Sequence, residues 1–144
     1  MDSDLKRVLE IERNSFPEPW SESIFKLISG KRSIDFLVAQ YETEIIGYII
    51  SSVVIRLNRK FERVKTGHIM NLAVDEKYRY HGIGSMLLQS ILKKFSGKVS
   101  KIFLEVRRSN LAAVKFYSKF NFKVAKMIKS YYKNEDAYQM IIDL

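Results

Sequence analysis

The chain has 144 residues, and its hydrophobic fraction of 47% and charged fraction of 28% are typical of a folded domain. This composition excludes collagen, low-complexity sequence and disorder, and it predicts a single domain over residues 1–144. Twenty-five Lys and Arg residues outnumber 16 Asp and Glu residues, so the formal net charge of +9 favours anionic partners such as nucleic acid, ribosomes or phosphate-bearing cofactors.

Cysteine is absent, which excludes disulfides, thiolate metal sites and a cysteine nucleophile. The N-terminal residues are charged from the second position onward, without the apolar segment of a signal peptide. No stretch reaches the roughly 18 apolar residues that a membrane span requires. We therefore expect a cytoplasmic protein.

Two helices are predicted at the start of the chain. Apolar residues recur at helical spacing over residues 5–16, and charged residues, among them Glu12, occupy the opposite face. Two prolines make residues 16–20 an irregular aromatic connector. Ser21 then offers an N-cap for a second helix that ends at Ile28.

Three strands follow in the prediction. Residues 36–41 and 45–55 are rich in β-branched and aromatic side chains and are typical of a hairpin, and residues 68–74 form the third strand. The basic stretch over residues 56–65 is predicted to be a solvated loop, with contact to an anionic partner as the alternative.

The remaining chain alternates helices and strands. A helix with one buried face is predicted over residues 82–95, followed by a strand over residues 102–106. Asn110 is the expected N-cap of the next helix, and strands over residues 122–131 and 137–144 end the chain. The order α-α-β-β-β-α-β-α-β-β predicts an α/β fold, a mixed central β-sheet with helices on both faces.

A basic, aromatic turn containing Arg79, Gly82 and Gly84 joins the third strand to the next helix. Glycines at a helix start let the backbone approach a ligand closely, and free amides there favour an anion. A dinucleotide fingerprint would need a third glycine where Leu87 stands, and the P-loop pattern is absent. The turn is therefore either purely structural or a phosphate site of another kind.

The pattern Arg79-x-x-Gly82-x-Gly84 resembles the acetyl-CoA signature of the GCN5-related N-acetyltransferase (GNAT) superfamily. Three further blocks extend the resemblance over roughly residues 4–144. They are LEVRRSNLAA from residue 104, YY at residues 131–132 with EDAYQM from residue 135, and FP at residues 16–17 with WS at residues 20–21. They are similar to RimI-like ribosomal-protein alanine N-acetyltransferases and archaeal protein N-alpha-acetyltransferases. The chain departs from this pattern in lacking a clear first edge strand and in having Asn121 where a glycine is usual.

The resemblance implies an acetyl-CoA-dependent enzyme with the GNAT fold and a C-terminal β-hairpin. It implies that backbone amides near the glycine turn bind the pyrophosphate, that one strand pairs with the pantetheine, and that the Val74 amide stabilises the oxyanion. The residues implied for the cofactor are Leu72, Ala73, Val74, Arg79, Tyr80, His81, Gly82, Ile83, Gly84, Ser85, Asn110 and Tyr117.

Glu105 lies in an otherwise apolar strand, where a carboxylate is costly unless it is solvated, paired or functional. By resemblance, Glu105 is the general base and Tyr117 the general acid. A sheet-edge salt bridge of Glu105 to Arg107 or Lys101 is the structural alternative, and Tyr117 has the alternative of a core aromatic position. His68, expected to be an interior histidine, is a rival base.

The acceptor is expected to contact the aromatic connector and the final hairpin, through Phe16, Pro17, Glu18, Trp20, Tyr131, Tyr132 and Tyr138. Glu18 is a further alternative for the base. With two histidines and no cysteine we expect no metal site.

The predicted reaction is direct acetyl transfer, in a ternary complex, to the N-terminal amine of nascent or ribosomal proteins. Acetylation of lysine or a small amine is the alternative on the same fold, and a basic nucleic-acid-binding module is the non-enzymatic alternative. The expected partners are protein N-termini and the ribosome, with no membrane and no specific nucleic acid. An auxiliary subunit and a homodimer both stay open.

Overall fold

A computed structural model describes residues 2–144, and the side chains of residues 3–144. The helices and strands of this part of the chain are α1 (Asp2–Ser15), α2 (Glu22–Ile28), β1 (Ile34–Tyr41), β2 (Glu44–Leu57), β3 (Arg63–Val74), α3 (Ile83–Phe95), β4 (Lys101–Arg107), α4 (Leu111–Lys119), β5 (Lys123–Tyr132) and β6 (Glu135–Asp143). The strands form a six-stranded sheet in the order β1-β2-β3-β4-β6-β5. The predicted element order and the mixed α/β class are confirmed; a single-turn 3-10 helix, Glu76–Tyr78, was not predicted.

The basic loop is shorter than predicted. β2 continues to Leu57 and β3 begins at Arg63, so only residues 58–62 form the turn, and the prediction of a loop over residues 56–65 is wrong at both ends. The side chain of Asn58 explains the tight turn, because its Oδ1 accepts hydrogen bonds from the N–H groups of residues 60 and 62, at 2.8 and 2.9 Å.

The chain divides into two compact units, and each is described separately. The first unit contains the residues through Ser52 together with residues 70–95. The second contains residues 53–69 and 96–144. β2 and β3 each contribute residues to both units.

The core of the first unit forms where α1 and α2 pack on β1 and β2. Phe25 and Tyr48 are fully buried, with ring centroids 6.1 Å apart in an edge-to-face arrangement. Ser21 caps α2 as predicted, since its Oγ accepts a hydrogen bond from the Ile24 N–H at 3.3 Å. The other buried members of this cluster are Val8, Leu9, Ile11, Ile28, Ile45, Ile50 and Ala73.

Glu12 belongs to this core, so the prediction that it lies on the outer face of α1 is wrong. Only 1% of the residue is exposed. Its carboxylate accepts hydrogen bonds from Asn71 Nδ2 at 2.6 Å, from the Trp20 N–H at 2.9 Å and from the Tyr48 hydroxyl. These three donors replace water, which makes burial of the carboxylate tolerable.

In the second unit, β4 is an interior strand. It pairs in parallel with β3 over three residue pairs, from Thr66 with Lys101 to His68 with Phe103, and antiparallel with β6 along its whole length. β5 and β6 form the predicted terminal hairpin. Asn110 caps α4 as predicted, with Oδ1 accepting a hydrogen bond from the N–H of residue 113 at 3.1 Å.

Candidate active site

The glycine turn of the first unit presents unpaired backbone N–H groups at the start of α3. Within residues 2–144, the N–H groups of Gly82, Ile83, Gly84 and Ser85 donate to no other residue, and the first bond of the helix runs from the Met86 N–H to the Gly82 carbonyl. No acidic residue lies in the first helical turn. Unpaired N–H groups at the positive end of a helix dipole fit a phosphate group.

The conformation of this turn depends on two residues with positive φ, Tyr80 at 66° and Gly82 at 80°. Tyr80 is fully exposed, and His81 Nδ1 lies 2.8 Å from the carbonyl oxygen of Arg79. The Arg79 side chain donates hydrogen bonds to the Val74 carbonyl at 3.0 Å and to Ser15 Oγ at 3.2 Å. The guanidinium thus fastens the turn to the end of β3 while its charge stays at the surface.

The β3 segment predicted to pair with pantetheine lies beyond the register that joins β3 to β4. That pairing ends at His68, and Leu72, Ala73 and Val74 follow farther along the strand.

Gly47 of β2 is a residue that the sequence-based predictions did not single out. A Cβ built there would lie 3.0 Å from the Ala73 carbonyl oxygen, so a side chain at this position would require β2 and β3 to separate by a few tenths of an ångström.

In the second unit, the rival bases Glu105 and His68 are partners. His68 Nε2 lies 3.0 and 3.1 Å from the two carboxylate oxygens of Glu105, whose side chain is 10% exposed. The His68 ring stacks on Phe103 with a centroid distance of 4.3 Å, and the Arg56 guanidinium lies 4.1 Å from the centre of the same Phe103 ring. The imidazole is therefore held in one orientation against the carboxylate.

The structural alternative for Glu105 was a sheet-edge salt bridge to Arg107 or Lys101, and its placement of Glu105 at an edge is wrong. Arg107 donates to Glu135 at 3.3 Å, and Lys101 lies 4.0 Å from Asp143. β4 has a neighbour on each side, so Glu105 is not at an edge. A carboxylate on an interior strand needs a specific partner, and here that partner is a histidine.

Two tyrosines of the terminal hairpin also contact Glu105. The Tyr131 hydroxyl donates to Glu105 Oε1 at 3.3 Å, and the Tyr132 hydroxyl lies 3.5 Å from the Glu105 carbonyl oxygen. Burial and the Glu105 carboxylate raise the pKa of Tyr131. Burial and the neighbouring Tyr131 raise the pKa of Tyr132 to about 12. Both phenols consequently remain neutral donors at ordinary pH.

Tyr117 lies in the second turn of α4, packed edge-to-face against Phe116 and Phe122 with centroid distances of 5.1 and 5.7 Å. The ring therefore occupies a core position, as the structural alternative for Tyr117 predicted. Burial and the nearby Tyr132 raise the pKa of Tyr117 above its ordinary value. The phenol retains its proton, which a general acid also requires.

The residues predicted to bind the acceptor fall into both units. In the first, Trp20 packs on Phe25 at 5.6 Å and Phe16 also contacts the core cluster, whereas Pro17 and Glu18 are exposed. In the second, Tyr131 and Tyr132 contact Glu105, whereas Tyr138 of β6 is half-buried and pairs with Val106 of β4, so its side chain lies on the opposite face of the sheet from Glu105.

The described residues offer neither a metal site nor a membrane-spanning helix. Across residues 2–144, no group of three or more His, Asp or Glu side chains could hold a metal ion. No helix in the described part of the chain has the length and apolar character needed to cross a membrane.

Comparison with known proteins identifies the family. Residues 5–122 match the sequence model of the Acetyltransferase (GNAT) family. The chain belongs to the GNAT family. An N-alpha-acetyltransferase of Sulfolobus acidocaldarius is 35% identical, over 99% of this chain and 88% of the relative. The ribosomal protein bS18-alanine N-acetyltransferase of Escherichia coli is 30% identical, over 93% of this chain and 84% of the relative.

A solved GNAT structure with the same fold is Arabidopsis thaliana Naa50 in complex with the bisubstrate analogue CoA-Ac-MVNAL. It has a TM-score of 0.80 and 26% identity, over 100% of this chain and 95% of that one. Family membership confirms the predicted enzyme class, an N-acetyltransferase, and its acetyl donor, acetyl-CoA. The chemistry of the glycine turn agrees, because unpaired N–H groups beside Arg79 suit a pyrophosphate.

Proposed function

We propose that this GNAT enzyme acetylates the N-terminal α-amine of ribosomal or nascent proteins in the cytoplasm, acting as one domain over residues 1–144. The observation that carries the proposal is the Glu105–His68 pair with Tyr131 bonded to the same carboxylate. A largely buried carboxylate with an imidazole and a phenol is suited to taking a proton from an ammonium group. The names of the two relatives, an N-alpha-acetyltransferase and a ribosomal-protein alanine N-acetyltransferase, support the choice of acceptor.

In this proposal, the first unit binds the donor largely through its main chain. The N–H groups of residues 82–85 and the Arg79 charge bind the pyrophosphate, and the backbone of residues 72–74 pairs with the pantetheine, with the Val74 N–H as oxyanion donor. By the resemblance, Asn110 is the residue whose side chain contacts pantetheine and Tyr117 is the proton donor to the sulfur. Bound acetyl-CoA supplies the acetyl group and leaves as CoA.

Glu105 acts as the general base. It removes one proton from the acceptor ammonium, directly or through a water, and His68 at 3.0 Å shares the resulting proton. The neutral amine nitrogen then forms the bond to the acetyl carbon while the carbon–sulfur bond breaks. Tyr117 donates its hydroxyl proton to the departing sulfur, so that CoA leaves as the thiol. The nitrogen loses its second proton to the Tyr117 phenolate, which restores the phenol, and the first proton passes from Glu105 and His68 to solvent.

Aromatic residues are proposed to contact the acceptor N-terminus, among them Tyr131 and Tyr132 of the hairpin. Rigid rings with hydroxyl groups suit a short peptide, because they offer apolar surface together with hydrogen bonds to its main chain. Glu18 is the acidic residue of the connector and is proposed to contact the ammonium.

Transfer from labelled acetyl-CoA to peptides that differ only at the first residue tests the acceptor class. The control peptides have a blocked N-terminus and an internal lysine, and spermidine represents small amines. Transfer to free N-termini alone supports the proposal and ranks the accepted residues. Transfer only to the blocked peptides, or only to spermidine, assigns the enzyme to lysine or small-amine acetylation instead.

Initial-rate kinetics tests the ternary complex. Direct attack predicts intersecting double-reciprocal lines when acetyl-CoA and peptide are varied together, whereas a covalent acetyl-enzyme gives parallel lines. The sequence contains no cysteine to form a thioester with the enzyme, in agreement with direct attack. Parallel lines would overturn this part of the proposal.

A further inference from the structure

The excess positive charge of the chain is confined to the second unit. Residues 53–69 and 96–144 contain 15 Lys and Arg residues against 5 Asp and Glu residues, a net charge of +10. The first unit contains 10 against 11, a net charge of −1. Acetyl-CoA binding does not explain this asymmetry, because the glycine turn proposed for the pyrophosphate belongs to the nearly neutral unit.

A rigid turn stands at the end of the β2–β3 hairpin in the second unit; we call residues 57–63 the β2–β3 tip. Asn58 organises it: Oδ1 accepts from the N–H groups of Lys60 and Glu62, Nδ2 donates to Glu62 Oε2 at 2.8 Å, and its N–H donates to the Glu62 carbonyl at 3.0 Å. The Asn58 carbonyl accepts from the Phe61 N–H at 3.0 Å. The tip is thus a structured feature.

This turn projects an aromatic ring into solvent. Phe61 is 83% exposed and has a φ of 60°, a conformation that a bulky residue adopts only when its surroundings impose it. Arg59, Lys60 and Arg63 are exposed on the same short segment. An outward aromatic ring among cations has no packing role within the chain, and it matches the side chains that bind nucleic acid strands.

We propose that the β2–β3 tip binds single-stranded RNA, with Phe61 stacking on a base and with Arg59, Lys60 and Arg63 contacting phosphates. A base offers a face for stacking whatever its identity, and cations add affinity through release of counterions. Binding is therefore expected to be tolerant of sequence and sensitive to salt. Such a contact would retain the enzyme near RNA-rich assemblies, where nascent and ribosomal proteins occur.

RNA fits the tip better than an anionic membrane does. Insertion of Phe61 into lipid would bring the adjacent Glu62 carboxylate into the interface, where a negative charge is unfavourable. The positive charge also extends over the whole second unit, including Lys123, Lys126 and Lys129 on edge strand β5. A broad basic surface suits a flexible polyanion longer than the tip itself.

Fluorescence anisotropy of a labelled 12-nucleotide oligouridine with the full chain, between 50 and 300 mM KCl, tests the proposal. We expect Phe61→Ala to weaken binding about 5- to 100-fold without changing the salt dependence, because one stacked base is lost. Phe61→Trp should retain the affinity of the unsubstituted chain, because its ring still stacks, whereas Phe61→Leu should weaken binding as Phe61→Ala does.

The triple variant Arg59→Ala, Lys60→Ala, Arg63→Ala should reduce the slope of log K against log salt by about 2, since each phosphate contact contributes roughly 0.7 for a single strand. The charge-matched control is the triple variant of exposed first-unit residues Lys31→Ala, Arg32→Ala, Lys93→Ala. It should bind the oligouridine like the unsubstituted chain.

Three results would overturn the proposal: no oligouridine binding at 50 mM KCl, an equal loss in the control triple variant, or Phe61-dependent binding to phosphatidylserine vesicles in place of RNA. Acetyl transfer to a free peptide should be unaffected by all the tip variants. Failure of RNA binding therefore leaves the acetylation proposal intact, and failure of peptide acetylation leaves RNA binding to be judged by anisotropy alone.

Discussion

His68 Nε2 of β3 and the Glu105 carboxylate of β4 lie 3.0 Å apart on neighbouring parallel strands. The register pairs His68 with Phe103, so Glu105 is two residues farther along β4 and on the same face of the sheet. Two groups that the sequence offered as rival bases therefore form one hydrogen-bonded unit, and their contributions to turnover should be interdependent.

We expect Glu105→Gln to lower kcat about 10²- to 10³-fold, because the amide retains the packing but cannot accept the ammonium proton. His68→Gln should also lower kcat, and the double variant should lose little more than Glu105→Gln alone, since the two residues act together. Steady-state assays with saturating peptide measure this. Asp143→Asn, a carboxylate substitution on an 80% exposed side chain, is the control. Full turnover by Glu105→Gln, or strictly additive losses, would contradict the assignment.

Tyr117→Phe removes only the hydroxyl of a ring that packs on Phe116 and Phe122. If the phenol protonates the departing sulfur, kcat should fall about 10- to 100-fold while the KM for peptide changes little. Tyr41→Phe, on an exposed strand end of the first unit, should leave both constants unchanged. An unaltered kcat for Tyr117→Phe would mean that Tyr117 has only a packing role.

Tyr117 should also influence stability at alkaline pH. Burial raises the pKa of its phenol, so the folded chain keeps a proton that the unfolded chain loses above about pH 10. The stabilisation is complete below that pH and is lost as the pH rises toward the folded-state value. Denaturant unfolding at pH 8.5 and 10.5 should therefore show a smaller loss of stability for Tyr117→Phe than for the unsubstituted chain.

Gly82→Ala and Gly97→Ala form a matched pair for the glycine turn. Both glycines have positive φ, 80° and 75°, and an added Cβ would meet nothing within 4 Å at either site. Each alanine should cost roughly 1 kcal/mol in unfolding free energy through backbone strain alone. Only Gly82→Ala should also weaken acetyl-CoA binding, about tenfold, because it displaces N–H groups at the start of α3. Calorimetric titration separates the two effects; equal affinities would argue against the pyrophosphate site.

Glu12→Ala should destabilise the chain by about 3–5 kcal/mol, because the hydroxyl of Tyr48, the amide of Asn71 and the N–H of Trp20 would lose their shared acceptor. Glu12→Gln keeps one acceptor oxygen and should cost less. Glu10→Gln, an exposed residue of the same helix, should cost under about 1 kcal/mol. Denaturant midpoints measure all three, and similar midpoints for Glu12→Ala and Glu10→Gln would mean that the buried network adds nothing.

Local patterns were sufficient for much of the fold. Helical spacing in α3 and the caps at Ser21 and Asn110 depend on residues within a few positions of each other, so they could be read directly. The turn at Asn58 was missed because the basic residues around it suggested solvation, whereas the hydrogen bonds of one side chain allowed both strands to extend. The polarity of Glu12 likewise led to the prediction that it faces solvent. Its burial could not be predicted, because the three donors that make burial possible come from residues 8, 36 and 59 positions away.

The sequence by itself determined the element order, because caps, turns and hydrophobic periodicity act over short distances along the chain, and its resemblance to GNAT proteins indicated the family and the acetyl donor. Only the tertiary structure decided that His68 and Glu105 are partners, that Glu12 is buried and that Phe61 faces solvent beside Arg59, Lys60 and Arg63. Partner choice for a buried charge depends on strand register and on donors from distant segments, and neither is expressed in local composition.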